Sequence, residues 1–177
     1  MKRIIALTTI VIAIIFLNAC STQEKVVKKE SQFEYVHLGY ITKLEDHRAL
    51  VVSTVNSETN PNKEYYEAIW VSAIPSNLKV GQQVQVKLKG NIATSYPAQA
   101  GAEGVSITTT QKPEGADTFQ DEVIRKALLD KELASVDVLV IKEVSYDVNS
   151  DSWTIRYKEA MLKDGILEEK SIVVLDK

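Results

Sequence analysis

The chain has 177 residues, of which 45% are hydrophobic and 25% are charged, and its formal net charge is −3. This composition is that of a globular protein, and it excludes collagen-like, mucin-like and low-complexity architectures. A disulfide scaffold is excluded as well, because the chain has a single cysteine.

The first twenty residues predict export and a membrane anchor. Lys2 and Arg3 precede an uncharged run of fourteen residues, Ile4–Leu17. A helix of this length spans about 21 Å, less than the roughly 30 Å of a bilayer core, so a secretory signal is favoured over a permanent transmembrane helix. The next residues, Leu17-Asn18-Ala19-Cys20, resemble the lipobox of bacterial lipoproteins. That resemblance implies a signal peptide at 1–19 and a diacylglyceryl group on the Cys20 thiol.

Lipidation at Cys20 would place the protein on the extracytoplasmic face of the cell membrane, since two acyl chains of the palmitate type hold a protein there stably. The alternative is an ordinary signal peptide that leaves Cys20 as a free thiol. Loss of residues 1–19 would leave 19 basic and 24 acidic residues, a net charge of −5. This balance argues against a nucleic-acid partner. Residues 20–32 are polar with mixed charge and predict a flexible tether.

Residues 33–112 have the short β-branched and aromatic runs that are typical of a small β-barrel. Ser95-Tyr96-Pro97 and the stretch Ala100–Gly104 are interpreted as loops. An OB-like barrel is favoured for five strands of this length, with an SH3-like barrel as the alternative. The predicted strands are Phe33–Leu44, Ala49–Val55, Tyr65–Ile74, Gln83–Ala93 and Val105–Thr110.

Residues 116–177 predict a smaller α+β domain, separated from the barrel by Lys112-Pro113-Glu114-Gly115. Thr118 and Asp121 are spaced as in a capping-box variant, and the apolar stripe that follows continues to about Leu133. Three strands come next, and the pattern indicates a helix packed on one face of a three-stranded antiparallel sheet. The predicted strands are Val136–Val148, Trp153–Ala160 and Lys170–Leu175.

Metal and cofactor chemistry finds little support in the sequence. His37 and His47 are the two histidines, expected within a strand and at a hairpin tip. Asp147–Asp151 matches the opening of a calcium loop, but Ser152 and Lys158 stand where that loop needs Gly and Glu. These residues therefore predict a polar hairpin tip, and no metal, cofactor or catalytic residue is assigned.

The aromatic residues give the clearest candidates for ligand contact. Alternation along the third strand places Tyr66 and Trp70 on one face, and Tyr65 and Glu67 on the other. Aromatic side chains on the face of an OB-like barrel can stack on ligands, so Tyr66, Trp70 and the loop residue Tyr96 are the candidate binding residues. The alternative is that this face is packed as core.

Four segments together resemble an uncharacterised domain family. They are Gly39-Tyr40-Ile41, Tyr65–Ser72, Val80–Val84 and Ser95–Gln99, and the resemblance covers about residues 35–110. Its members are small lipoproteins of Gram-positive, spore-forming bacteria. The resemblance implies an envelope location and carries no catalytic residue.

The function that these observations favour is a non-enzymatic binding or interaction module for a cell-envelope polysaccharide, peptide or protein. One alternative is an enzyme acting on the cell wall, with Glu64 or Glu67 as its acidic group beside Tyr66 and Trp70. The other is an immunity or inhibitor lipoprotein that binds a secreted protein over a large surface.

Overall fold

Five strands close into a barrel in the computed structural model, which describes residues 35–108, 110–160 and 166–176. The order around the barrel is β1-β2-β3-β5-β4, with β4 pairing back onto β1. β3 and β5 run parallel and the other neighbours run antiparallel. This arrangement confirms the OB-like barrel. The strands are β1 Val36–Glu45, β2 Arg48–Asn56, β3 Tyr66–Ser72, β4 Gln83–Ala93 and β5 Ala98–Ile107.

Branched aliphatic side chains fill the barrel because successive residues of each strand point to opposite faces. On β3, Ile69 and Val71 point inward, whereas Tyr66 and Ala68 point outward. The inward residues include Ile41, Val51, Ile69, Val71, Val84 and Val86, each at most 3% exposed.

The fifth strand differs from its prediction. Ala100–Gly104 is part of β5 and is not a loop, and β5 ends at Ile107. Alanine and glycine have low strand propensity, which is why this stretch reads as a loop in the sequence. In the barrel, Ala98–Gly101 pairs with β3 while the strand also pairs with β4, so hydrogen bonds on both sides outweigh propensity.

In the C-terminal part, the described residues form two short helices and a three-stranded antiparallel sheet, ordered β6-β7-β8. Val123, Ile124, Ala127 and Leu128 form the buried face of α1 and lie in one core cluster with Trp153, Ile155 and Tyr157 of the sheet. This confirms a helix packed on a three-stranded sheet. The elements are α1 Gln120–Leu128, α2 Lys131–Ala134, β6 Leu139–Asp147, β7 Ser152–Glu159 and β8 Glu169–Leu175.

The ends of the helix differ from the sequence prediction. Phe119 is the residue before α1, and it makes no side-chain capping bond. The Thr118 hydroxyl instead donates to the backbone oxygen of Asp176 at 2.6 Å, so the predicted capping box is wrong. The helix ends at Leu128, because Asp130 starts α2 by accepting a hydrogen bond from the Glu132 amide. Thr118 thus bonds to Asp176 in place of the predicted capping contact. The Asp130 cap starts a second helix where the sequence predicts a single one.

The C-terminal sheet packs against the outside of the barrel. Val138 and Val140 lie in one core cluster with Leu50, Val52 and Tyr66. Gly81, at φ +92°, allows α1 to approach the barrel, since a Cβ at this position would collide with the backbone oxygen of Asp121. Phe33–Lys177 forms one compact unit, and three hydrophobic core clusters are found among its described residues.

The boundary predicted at Lys112–Gly115 falls in the connection between β5 and α1, and the division into domains 33–112 and 116–177 stays a prediction. The signal peptide at 1–19, Cys20 and the tether at 20–32 lie outside the described residues. Within the described residues, no helix has the length and apolarity that a membrane span requires.

Candidate ligand-binding site

The structure places the three predicted aromatic residues in different surroundings. Tyr66 is 2% exposed and belongs to the core beneath the C-terminal sheet. Burial, followed by the negative charges of Glu64 and Glu169, raises the pKa of its phenol to about 12. Trp70 is half-buried, with the Arg48 guanidinium 4.5 Å from its ring centroid. The face carrying Tyr66 is thus packed against another part of the chain.

Tyr96 lies in the connection between β4 and β5, where it supports a neighbouring ring. Its hydroxyl donates to the backbone oxygen of Tyr66 at 3.2 Å. Its ring packs on Tyr65, with 5.7 Å between centroids and 50° between planes. The Ser95 hydroxyl donates to the Pro97 oxygen at 2.8 Å. These bonds fix the loop behind Tyr65.

An open groove lies on the other side of Tyr65, where β3 begins and β4 passes into β5. Its volume is about 450 Å³, within the range of small-molecule sites. We call it the rim groove, and most of its lining is aromatic or aliphatic. The lining residues are Tyr35, Tyr65, Glu67, Ala68, Ile69, Ile92, Ala93, Thr94, Ser95 and Ala98.

Glu67 is the carboxylate among these described lining residues, and a hydrogen bond from Tyr35 holds it in place. The Tyr35 hydroxyl donates to Glu67 Oε2 at 2.6 Å. His37 Nδ1 lies 3.5 Å from the same oxygen. The Glu67 side chain is still 37% exposed, so it can accept further bonds from a ligand.

His37 lies in β1 and is buried, at 2% exposure. Its Nε2 must carry the proton that is donated to the Val51 carbonyl oxygen at 3.1 Å, because a carbonyl only accepts. Its Nδ1 faces the Glu67 carboxylate, 3.5 Å from Oε2. His47 lies in the turn between β1 and β2, as predicted.

The tyrosines of the groove remain neutral phenols over a wide pH range. Burial, with the hydrogen bond to Glu67 next, raises the pKa of Tyr35 to about 12. Burial and the charge of Glu67 also raise the pKa of Tyr65. Both residues are exposed to solvent in part, at 39% and 40%. They can therefore offer ring faces to a ligand.

Glu64, the other acidic residue considered in the sequence, serves a structural contact. Its carboxylate accepts from Lys158 Nζ at 2.8 and 3.0 Å and from the Leu167 amide at 3.1 Å. Burial alone would raise the pKa of Glu64, but these bonds outweigh burial and lower it. Glu64 therefore joins the barrel to the C-terminal sheet and does not line the rim groove.

A second cavity of about 340 Å³ lies at the junction of the barrel with α1 and β6. Its polar groups bond to one another: Gln120 Nε2 donates to the Tyr40 hydroxyl at 2.9 Å, and Lys142 Nζ donates to the Thr54 oxygen at 2.8 Å. Because these contacts already fulfil a packing role, this junction is a weaker candidate than the rim groove.

The acidic hairpin tip between β6 and β7 is occupied by internal bonds. Asp147 accepts from the Asn149 amide and from the Ser150 hydroxyl, both at 2.9 Å. The Tyr146 hydroxyl donates to Asp151 at 2.9 Å. No group of three or more His, Cys, Asp or Glu residues in the described part of the chain could hold a metal ion. The polar-tip interpretation fits these contacts.

By its fold, the chain is a mainly β protein built on a closed five-stranded barrel. Residues 38–109 match the model of a family described as a protein of unknown function (DUF3221). The match covers the barrel and supports the predicted similarity to an uncharacterised domain family. No curated protein and no solved structure matches the chain.

Proposed function

We propose that this protein is a lipid-anchored binding protein on the outer face of the cell membrane, and that it holds a cell-envelope ligand in the rim groove. The observation that carries the proposal is the groove itself, an open cavity of about 450 Å³ with aromatic walls and a carboxylate fixed by Tyr35. Apolar walls with a few placed polar groups are typical of binding sites.

The composition of the groove favours binding over hydrolysis. Most glycoside hydrolases use two carboxyl groups on either side of the scissile bond. Among the lining residues that the structure describes, Glu67 is the acidic one, while Glu64 is engaged with Lys158. A wall fragment or a peptide would therefore be held against Tyr35 and Tyr65 without being cleaved.

The sequence supports the proposed anchor and narrows the classes of ligand. Cys20 supplies the lipid attachment, and residues 20–32 supply a polar tether between the membrane and the barrel. A net charge of −5 after cleavage disfavours nucleic acid and anionic polymers as partners. Envelope polysaccharides, peptides and proteins remain as the ligand classes to test.

A thermal-shift screen of Phe33–Lys177 against wall fragments and short peptides tests the proposal, since these residues form a compact unit of their own. A ligand at a hundred times its dissociation constant adds about 2.7 kcal/mol to stability. We expect a ligand-induced shift that Tyr65→Ala removes and Val55→Ala keeps, because Val55 is 64% exposed and is not among the groove residues.

Two other results would decide against the groove as a binding site. Turnover of a wall fragment would favour the enzyme alternative. Absence of any shift, combined with capture of a secreted protein by both variants, would favour the immunity or inhibitor alternative.

A further inference from the structure

We infer that the rim groove recognises an organic ammonium group, with Glu67 as its counter-ion and the rings of Tyr35 and Tyr65 as its walls. This inference rests on the proposed binding function and names the chemical class of the ligand. It covers a quaternary ammonium headgroup and the side chain of a lysine residue, which share this chemistry.

Charge is the first argument. Among the described residues of the groove, Glu67 is the charged one, and its side chain is 37% exposed. Tyr35 fixes its position through a neutral hydroxyl, so the bond orients the carboxylate without cancelling its charge. A cation is the ligand group that such a site attracts.

The aromatic rings are the second argument. A cation is attracted to the face of a tyrosine ring within about 6 Å of its centroid. Tyr35 and Tyr65 both line the groove and are each about two-fifths exposed, at 39% and 40%. Tyr96 packs behind Tyr65 and holds its ring in position. Two neutral phenol rings beside one carboxylate form part of a cage for an ammonium group.

The remaining walls select the kind of cation. Ala68, Ile69, Ile92, Ala93 and Ala98 cover much of the groove with aliphatic surface. Removing a strongly hydrated metal ion from water to such a surface is costly, whereas methyl or methylene groups next to a nitrogen lose little. The groove therefore fits an ammonium group that carries carbon substituents.

The test uses Phe33–Lys177 and two matched pairs of probes, followed by amide NMR. Choline is compared with its neutral isostere 3,3-dimethylbutan-1-ol. Nα-acetyl-lysine methylamide, with a free side-chain ammonium group, is compared with Nα-acetyl-norleucine methylamide. We expect each cation to shift the amide signals of Tyr65, Glu67 and Ile69. We expect each neutral partner to bind about tenfold more weakly, a difference of about 1.4 kcal/mol in binding free energy. The tighter of the two cations identifies the source of the ammonium group.

Variants connect the effect to the carboxylate and the ring. Glu67→Gln keeps an oxygen that accepts from Tyr35, and it should weaken cation binding about tenfold while leaving the neutral probes unchanged. Glu103→Gln is the matched control, because Glu103 is an exposed barrel carboxylate that is not among the groove residues. Tyr65→Leu keeps apolar volume without a ring, and it should weaken the cations more than the neutral probes. Unchanged melting temperatures show that the variants are folded.

The outcomes separate the two proposals. If the neutral probes bind as tightly as the cations, or if Glu67→Gln leaves cation affinity unchanged, the ammonium inference is overturned. A neutral wall fragment that binds in the groove while neither cation does also overturns the ammonium inference, and the proposed binding function then stands. If no probe and no wall fragment perturbs the groove signals, both proposals fall.

Discussion

Lys158 Nζ lies 2.8 Å from Glu64 Oε1, although 94 positions separate the two residues in the chain. Lys158 belongs to β7 and Glu64 shortly precedes the third barrel strand, so the pair joins the C-terminal sheet to the barrel. Both side chains are largely buried, at 9% and 15% exposure. Such a contact fixes how the barrel and the sheet meet. Separating the pair would leave each buried charge without a partner and with little water around it.

Removal of one member of this pair should be destabilising. Lys158→Met leaves the Glu64 carboxylate in a poorly hydrated place, and we expect a loss of about 2 to 4 kcal/mol in the free energy of unfolding. Chemical denaturation measures this loss. The double variant with Glu64→Gln should recover part of it, because the buried charge is then absent.

Lys170→Met provides the control on the same sheet. Lys170 pairs with Glu159 at 2.7 Å, but these side chains are 39% and 36% exposed. An exposed pair contributes about 0 to 1 kcal/mol, so this variant should be nearly neutral. Equal losses for the two lysine variants would contradict a special role for Lys158.

Gly81 should tolerate alanine far less well than Gly90. Both have positive φ, at +92° and +76°, and the left-handed conformation alone costs a non-glycine residue about 1 to 2 kcal/mol. A Cβ at Gly90 meets nothing within 4 Å, whereas a Cβ at Gly81 collides with the backbone of α1. We therefore expect Gly81→Ala to cost at least about 1 kcal/mol more than Gly90→Ala, measured by denaturation. Equal costs would mean that α1 can move away from the barrel.

The third barrel strand illustrates what sequence can and cannot predict. Alternation correctly separates Tyr65, Glu67 and Ile69 from Tyr66 and Trp70. It does not tell which of the two faces stays open, since both carry aromatic residues. Tyr66 is covered by Val138 and Val140, which come much later in the chain, and only tertiary packing determines this contact. The sequence signal for the rim groove is that an aromatic and an acidic residue, Tyr65 and Glu67, lie on the same face of this strand.

Tertiary contacts also explain the two errors at element boundaries. The small residues of β5 have low strand propensity, yet pairing with β3 and β4 makes them a strand. Thr118 has the spacing of a capping residue, yet its hydroxyl donates to the backbone oxygen of Asp176, 58 positions later in the chain. The barrel and the helix-on-sheet unit were predictable because their hydrophobic periodicity is repeated over many residues.

Substitution of Tyr66 should act on stability more than on binding. The side chain is 2% exposed in a core cluster, so Tyr66→Ala should cost about 3 to 5 kcal/mol. Val55→Ala, at a position 64% exposed, should stay within about 0.5 kcal/mol of the wild type. Urea denaturation compares the two. A stable Tyr66→Ala variant that loses ligand binding would instead favour Tyr66 as a binding residue.

Lipidation at Cys20 is open to a direct test in the full-length chain. A clickable fatty acid should label the wild-type protein in cells, and the protein should fractionate with membranes, because acyl chains supply the anchoring energy. Cys20→Ser should abolish both the label and the membrane association. If Cys20→Ser keeps the membrane association, the anchor lies elsewhere and the lipobox resemblance misleads.

Asp176 should make stability depend on pH in acid. Burial would raise the pKa of Asp176, but bonds from the Asp117 amide, the Trp153 indole and Thr118 outweigh burial and lower the pKa from 3.8 to about 2. Because the folded pKa lies below the unfolded value of about 3.9, the stabilisation is complete above about pH 4 and disappears as the pH falls through about 2. Asp176→Asn keeps an acceptor but removes this titration.

The free energies of unfolding of the two proteins should therefore converge between about pH 4 and pH 2, the wild type falling more steeply than Asp176→Asn. Measuring the difference is essential, since hydrogen bonds also lower the pKa values of Glu64 and Asp147, and these groups titrate identically in both proteins. Parallel curves over this range would show that the Asp176 carboxylate gains no net stabilisation from its three donors. Convergence would instead identify the contact between the end of the sheet and the start of α1 as the acid-sensitive joint of the C-terminal part.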